Sequence, residues 1–535
     1  MDRLTRNLPA PTPSIASPGP DQIDTSYWSA HYRVHLRHNL ARASEYTRQH
    51  PSGDLIRHFG SFLTLLRQAR RCLNLHAPAA DLIAALTPWV QEWGYWDAWK
   101  PELDFAVQEF ARQERPRRQA EMLRHLAQML QLTGQLDQSL VVGEQAMALA
   151  RAQCAPVTLA RAGLNQAVIL RSMEQPEQAL ALRKELEADL IRMTPHAPAR
   201  DVTVAEVYLG WLDLRYLRHQ GRMDEAVAAM SRAIARLEAL SDTDPDLLAE
   251  TYSERAIIYW GQGRYPDALR DLKRAISIGE GEGYSAAYNC GNLGLVYWSM
   301  SEYDQAADAF KRRIAACEEA NDLWFLSRNL GNLGMVYLAR GELDAAMRYL
   351  ERNLALSTRL RDTLEVLRAR GNRGIARACL GQYAEAVEDL TAWLDYLQHT
   401  GSRIEFALVS LNLSRCYAAL GKKELALQSA EDGLQIGRSA GSEVVQGLAL
   451  RCLADCVPRP ERDEHLRRAL DIARKYGRRL DEADCLLALA ALAGETEEGE
   501  RLWNQGAAVL AEIGAAAWLK DASPEQPPRL PTTGV

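Results

Sequence analysis

The sequence predicts an all-α solenoid of about eleven antiparallel helix pairs, and three observations carry that reading. A small turn residue stands five positions before a small helix residue in GQLDQSL, GRMDEAV, GRYPDAL, SEYDQAA, GELDAAM, GQYAEAV and GKKELAL. The turn positions are Gly134, Gly221, Gly263, Ser301, Gly341, Gly381 and Gly421, the last four each 40 residues apart. Upstream of the turn, Leu293, Gly294 and Tyr297 recur as Leu333, Gly334 and Tyr337, then as Leu413, Ser414 and Tyr417. These offsets draw one apolar stripe along a helix, with a small residue where a neighbouring helix must come close. Finally, Asp322, Asp362, Ser402 and Ser442 recur every 40 residues where each first helix should begin. Asp and Ser are good N-caps, and Gly401 and Gly441 precede the last two as C-cap glycines should.

In chain order, residues 1–24 are Pro-rich and expected to be disordered. Residues 25–78 read as two helices of weaker repeat character, and 79–515 as the solenoid proper. The solenoid opens with four tryptophans, Trp89, Trp93, Trp96 and Trp99, whose helical spacing suits core and cap packing. Gly94 and Glu174 fill the turn position of early repeats. From Glu174 to Gly221 the spacing stretches to 47, so a longer loop with Pro195 and Pro198 interrupts the array. Past residue 442 two pairs drift from the pattern, as terminal capping repeats do. Residues 516–535 are again Pro-rich and expected to be disordered.

The pattern of a small residue, Tyr four before the turn, Gly at the turn and Ala five after it resembles the tetratricopeptide repeat. The 40-residue period and the GNLG cores at 291–294 and 331–334 are similar to the longer subclass found in kinesin light chains, LGN-type polarity adaptors and sensor arms of bacterial STAND NTPases. The resemblance implies a right-handed superhelix that binds a protein or peptide partner. It also implies an alternative role, a regulatory or sensor subunit of a separately encoded NTPase, protease or transcription factor. Residues 31–50 and the Trp-rich stretch resemble the join between an NTPase and its repeat arm, without the NTPase.

Composition narrows the function classes. Lys and Arg total 63 against 70 Asp and Glu, with a pI near 6.0, so generic nucleic-acid binding is disfavoured. Neither a secretory signal nor an 18-residue apolar run is present, and nine scattered cysteines suit reduced thiols; a cytoplasmic protein is expected. No catalytic residue, cofactor or metal is expected. The sequence has no GxxxxGK[ST], and Gly279, Gly281 and Gly283 lack dinucleotide-fold spacing. A formal GxSxG around Ser439 follows a helix rather than a strand. His31, His35 and His38 share a helix face without an interleaved acid, Cys452 and Cys456 lack a second pair, and LPTTG at 530–534 resembles a sortase motif without a hydrophobic tail.

Two features suggest partner binding. Asn292, Asn332, Asn372 and Asn412 stand 40 apart at one position of four first helices, and Asn289 and Asn329 sit three residues earlier. A carboxamide offers both donor and acceptor, as an extended peptide backbone requires; the same amides would also tie helices together. In the 362–400 repeat, Arg370, Arg373 and Arg377 replace Leu330, Leu333 and Tyr337 of its neighbour, with Arg368 adjacent. These arginines either pair locally with Glu365, Glu385, Glu388 or Asp389, or form a pocket for an acidic or phosphorylated group.

Overall fold

The structure is a computed structural model that describes residues 25–532 apart from 50–54, 56–57, 93–94, 174, 221, 280–283, 321, 361 and 399–401. Helices α1 (Thr25–Gln49) and α2 (Phe59–Ala69) come first, packed on the solenoid that follows. Among the described residues, eleven antiparallel hairpins succeed them. They pair α3 (His76–Glu92) with α4 (Trp96–Arg112), α5 (Pro116–Leu132) with α6 (Leu136–Ala152), and α7 (Pro156–Ser172) with α8 (Pro176–Met193). Next come α9 (Ala199–His219) with α10 (Met223–Glu238), α11 (Pro245–Gly261) with α12 (Tyr265–Gly279), and α13 (Tyr284–Ser299) with α14 (Tyr303–Ala320). The regular core follows as α15 (Leu323–Arg340) with α16 (Leu343–Leu360), α17 (Thr363–Cys379) with α18 (Tyr383–Leu397), and α19 (Arg403–Ala419) with α20 (Lys423–Ser439). The array closes with α21 (Glu443–Ala454) on α22 (Arg459–Lys475) and α23 (Arg479–Ala493) on α24 (Glu497–Glu512). Among the described residues there is no strand, and no helix is long and apolar enough to cross a membrane.

Local chemistry explains the 40-residue period. Gly134, Gly263, Gly341, Gly381 and Gly421 all adopt positive φ, and Ser301 takes the same left-handed turn at φ 59°. Gly94, Glu174, Gly221 and Gly401 lie outside the described residues. The expected N-caps act as such at three positions: the side chains of Asp322, Asp362 and Ser442 accept from the backbone N–H of Phe325, Glu365 and Val445. Ser402 differs, because its hydroxyl donates instead to the Glu405 carboxylate, 3.0 Å away. The small helix residue is explained by contact: a Cβ on Gly294, Gly334 or Gly374 would come within 2.8, 2.7 and 2.9 Å of Phe310, Leu350 and Leu390 in the second helix. Trp99 is fully buried and donates Nε1–H to Thr87, while Trp89 and Trp96 pack against the same core; Trp93 is outside the described residues.

Two features depart from the sequence reading. The array curls until its last hairpins meet its middle: Tyr303, Leu333 and Leu350 belong to one buried core with Leu486, Leu510 and Trp518. The segment expected to be a disordered tail is laid against the solenoid as far as residue 532, because it carries apolar anchors that composition hides. Trp518 and Leu530 are 8% and 1% exposed.

Candidate functional site

Most first helices touch the first helix of the next hairpin as well as their own partners (α3–α5, α5–α7, α7–α9, α11–α13, α15–α17, α17–α19 and α19–α21), so together they form an inner layer. That layer carries the asparagine row, and its four members have different surroundings. Asn292 is half-buried and donates Nδ2–H to Ser253 Oγ of the preceding first helix, at 3.1 Å. Asn332 and Asn372 are half-buried, and neither side chain has a hydrogen bond among the described residues. Asn412 is 4% exposed and donates Nδ2–H to two carbonyls, Leu408 at 2.9 Å and Thr532 at 3.0 Å. The second of these belongs to the C-terminal segment, 120 residues away.

Asn289 and Asn329, expected to widen the row, turn into the helix stack at 2% and 5% exposure. Three residues leave them about 60° round the helix from the row, on the side that is packed against neighbouring helices. Asn329 Nδ2 donates to Phe325 O at 2.7 Å, bonding back along its own helix.

The C-terminal segment lies against this inner layer. A short 3₁₀ turn, Ala516–Leu519, seats Trp518, whose Nε1–H donates to Ala339 O at 3.0 Å. Its ring lies on the left-handed turn at Gly341, where a Cβ would come within 2.8 Å of the Trp518 backbone nitrogen and 3.0 Å of its ring carbons. The chain then turns at Ser523–Gln526 and runs past Tyr383, over which the Arg529 guanidinium sits 5.3 Å from the ring centre. Leu530 and Pro531 are buried beside Ile375, Cys379 and Arg415. Arg415 donates Nη1–H to the Leu530 carbonyl and to Thr532 Oγ1, at 3.3 Å for the latter. It is held by Asp484 of α23, which also accepts from Arg451 Nη2 at 3.2 Å. Nothing in the sequence pattern flagged Arg415 or Asp484, since their partners are contributed by elements more than 30 residues away.

The arginine face takes the local-pairing arrangement. Asp389 of α18, 1% exposed, accepts from Arg370 Nε at 3.1 Å, from Arg373 Nε at 2.8 Å and Nη2 at 2.7 Å, and from Arg377 Nη1 at 2.8 Å. Arg368 bonds Glu365 instead. Burial pushes the Asp389 carboxyl up, but hydrogen bonds from Arg373 and Arg370 and the charges of Arg373 and Arg377 outweigh it and hold the carboxyl below its ordinary value. The same device recurs in the α11–α12 hairpin, where Arg255 holds Asp271 through two bonds of 2.7 and 2.9 Å. There the flanking positions are Tyr252 and Tyr259, both under the guanidinium, rather than two more arginines. Three guanidiniums on one carboxylate leave two positive charges in excess within this cluster.

The remaining motifs find ordinary places. Ser439 is the last residue of α20, exposed, and its Oγ donates to Ile436 O. Cys452 donates to Leu411 O and Cys456 to Cys452 O, both at 3.6 Å. His35 and His38 are exposed on α1; the side chain of His31 lies outside the described residues, as do Gly281 and Gly283.

Comparison with known proteins settles the repeat type. The sequence profile of the tetratricopeptide repeat matches residues 215–281, 248–319 and 325–398. These are tetratricopeptide repeats. The profile of anaphase-promoting complex subunit 5 also matches, over residues 375–455. Among solved structures, the tetratricopeptide-repeat chain is similar to a Rap protein complexed with competence and sporulation factor. Identity is 14% with a TM-score of 0.53, over 66% of this chain and 99% of that one. Apo RapI matches at 15% identity and TM-score 0.47, over 66% of this chain and 97% of that one. A STAND protein with a tetratricopeptide repeat sensor from Pyrococcus horikoshii matches at 15% and 0.39, over 71% and 55%. At such identities the likeness concerns the fold. No curated protein matches the sequence.

Proposed function

We propose that this tetratricopeptide-repeat protein is an interaction adaptor or sensor that grips an extended segment of a partner protein along its inner face. The observation that carries the reading is the Asn412 amide, which gives its N–H to the Thr532 carbonyl of the C-terminal segment laid against the inner layer. Asn332 and Asn372 occupy the same position one and two repeats earlier, half-buried and without hydrogen bonds among the described residues. Each can therefore offer a carbonyl of a bound chain the bond that Asn412 already makes. Burying a backbone N–H or C=O without a partner costs about 1–3 kcal/mol, so an amide row favours main-chain capture over side-chain selection. The excess charge around Asp389, one turn from Asn372, favours acidic or phosphorylated residues in that part of the partner. The similar Rap fold was solved with competence and sporulation factor, which is consistent with ligand capture by such a superhelix.

The test is selection from a displayed library of random 12-residue peptides, scored against the chain and against Asn332→Leu/Asn372→Leu. Peptides that bind the parent and lose at least about tenfold affinity on the variant, worth about 1.4 kcal/mol, support the reading. A library that yields only binders indifferent to both substitutions overturns it.

A further inference from the structure

The groove of a peptide-binding solenoid has here an occupant from its own chain, and the occupant is placed with some specificity. Leu530 and Pro531 are buried, Thr532 is 4% exposed, and two inner-layer side chains, Asn412 and Arg415, take the carbonyls of residues 532 and 530. Residues 530 and 532 thus present their carbonyls to one wall, two residues apart. Arg415 is not free to leave, because Asp484 fixes it from the opposite side of the curl. Trp518 pins the segment upstream by its bond to Ala339 O and its seat on Gly341. The anchor and the inserted stretch are thus separated by residues 519–528 only, a short tether.

We infer that residues 529–532 are an intramolecular ligand that holds the Asn412–Arg415 end of the groove closed. The partner segment that displaces them is then an extended stretch of the same chemistry, an aliphatic residue followed by proline and a hydroxyl residue. This deepens the peptide-binding reading and rests on it. Selectivity follows from the site. The aliphatic side chain enters the apolar recess beside Ile375 and Cys379, the proline donates no N–H into a wall that offers mainly donors, and the hydroxyl accepts from Arg415. A tether of about ten residues gives an effective concentration on the order of 1 mM. A free segment with an intrinsic Kd of about 100 μM would then be held off roughly tenfold by the resident one.

The experiment compares the full chain with a chain ending at Ala522, which retains Trp518, using a fluorescein-labelled peptide of residues 526–535 and anisotropy. The shortened chain is expected to bind the peptide and the full chain to bind it at least about tenfold more weakly. Asn412→Leu and Arg415→Met in the shortened chain should each abolish that binding, while circular dichroism melts confirm that both variants fold. Leu530→Asp in the full chain provides a version without truncation and should bind the peptide as the shortened chain does. Equal affinity of the full and shortened chains, or no binding to a folded shortened chain, overturns the inference. Library-selected peptides separate this failure from that of the underlying reading. If they depend on Asn332 and Asn372 but bind both chain lengths equally, peptide capture stands and the intramolecular ligand falls.

Discussion

Replacing Asp389 by Asn tests whether the arginine face is a structural clasp. The substitution keeps the shape and removes the one negative charge on which Arg370, Arg373 and Arg377 converge. Removing one partner of a buried ion pair costs about 3–5 kcal/mol, because the other charge is left uncompensated. Here the arginine side chains are 35%, 19% and 23% exposed, so water recovers part of that loss, and about 3 kcal/mol is expected. The sign of the pH dependence follows from the carboxyl being held below its ordinary value. Its stabilisation is complete above the unfolded carboxylate pKa of about 3.9 and is lost as pH falls through the lower folded value. The gap between parent and variant should therefore be full at pH 7 and shrink only as pH falls below the ordinary carboxylate value, through the lower folded one. Urea unfolding followed by circular dichroism gives the global figure, and hydrogen exchange at α17 and α18 localises it, since repeat arrays lose two-state behaviour. Installing the neighbouring hairpin's residues, Arg370→Leu/Arg373→Leu/Arg377→Tyr/Asp389→Tyr, should be neutral or stabilising, because the equivalent Tyr337 and Tyr349 stack there at 5.3 Å. A cost under about 0.5 kcal/mol for Asp389→Asn, or a gap that persists at low pH, would refute the clasp.

Further outcomes follow from the same contacts. Gly381→Ala should cost about 1 kcal/mol by denaturation through its positive φ alone, since nothing lies within 4 Å of the added Cβ. Gly341→Ala carries the same strain and also strikes Trp518, so it should cost more and expose Trp518 in a fluorescence quenching assay; equal costs would mean that Trp518 is not seated there. Asn353 Nδ2 donates to the Ser327 carbonyl at 2.8 Å within the buried α15–α16 contact, so Asn353→Leu should destabilise by about 1–3 kcal/mol in urea unfolding. Burial pushes the Cys317 and Cys452 thiols up to about 12. Neither should react with iodoacetamide at pH 8 while the chain is folded, and mass spectrometry after denaturation should find both alkylated.

Much of this architecture was readable from residues alone because a repeat concentrates its information locally. Gly at a left-handed turn, Asp at a cap and Gly334 against Leu350 each act within one hairpin, and the 40-residue period repeats the message. The asparagine position was legible for the same reason, though its members diverge: Ser253 engages Asn292, while among the described residues nothing comparable reaches Asn372. Asp389 stood among the expected arginine partners because it lies in the same hairpin. What the sequence hid is contact at long range. Arg415 meeting Asp484, Trp518 meeting Ala339 and Asn412 meeting Thr532 join positions 69, 179 and 120 residues apart, with no periodicity linking them. A Pro-rich composition looked unable to order the C-terminal segment, yet two apolar anchors in a ready-made groove suffice to place it.

The amide row as a grip on main chain is tested most directly by a crystal structure of the chain ending at Ala522 with a library-selected peptide. The expected result is an extended peptide along the inner layer, its carbonyls within hydrogen-bond distance of Asn332, Asn372 and Asn412. A peptide seated on the outer helices, or one in the groove that leaves all three amides unbonded, would contradict it.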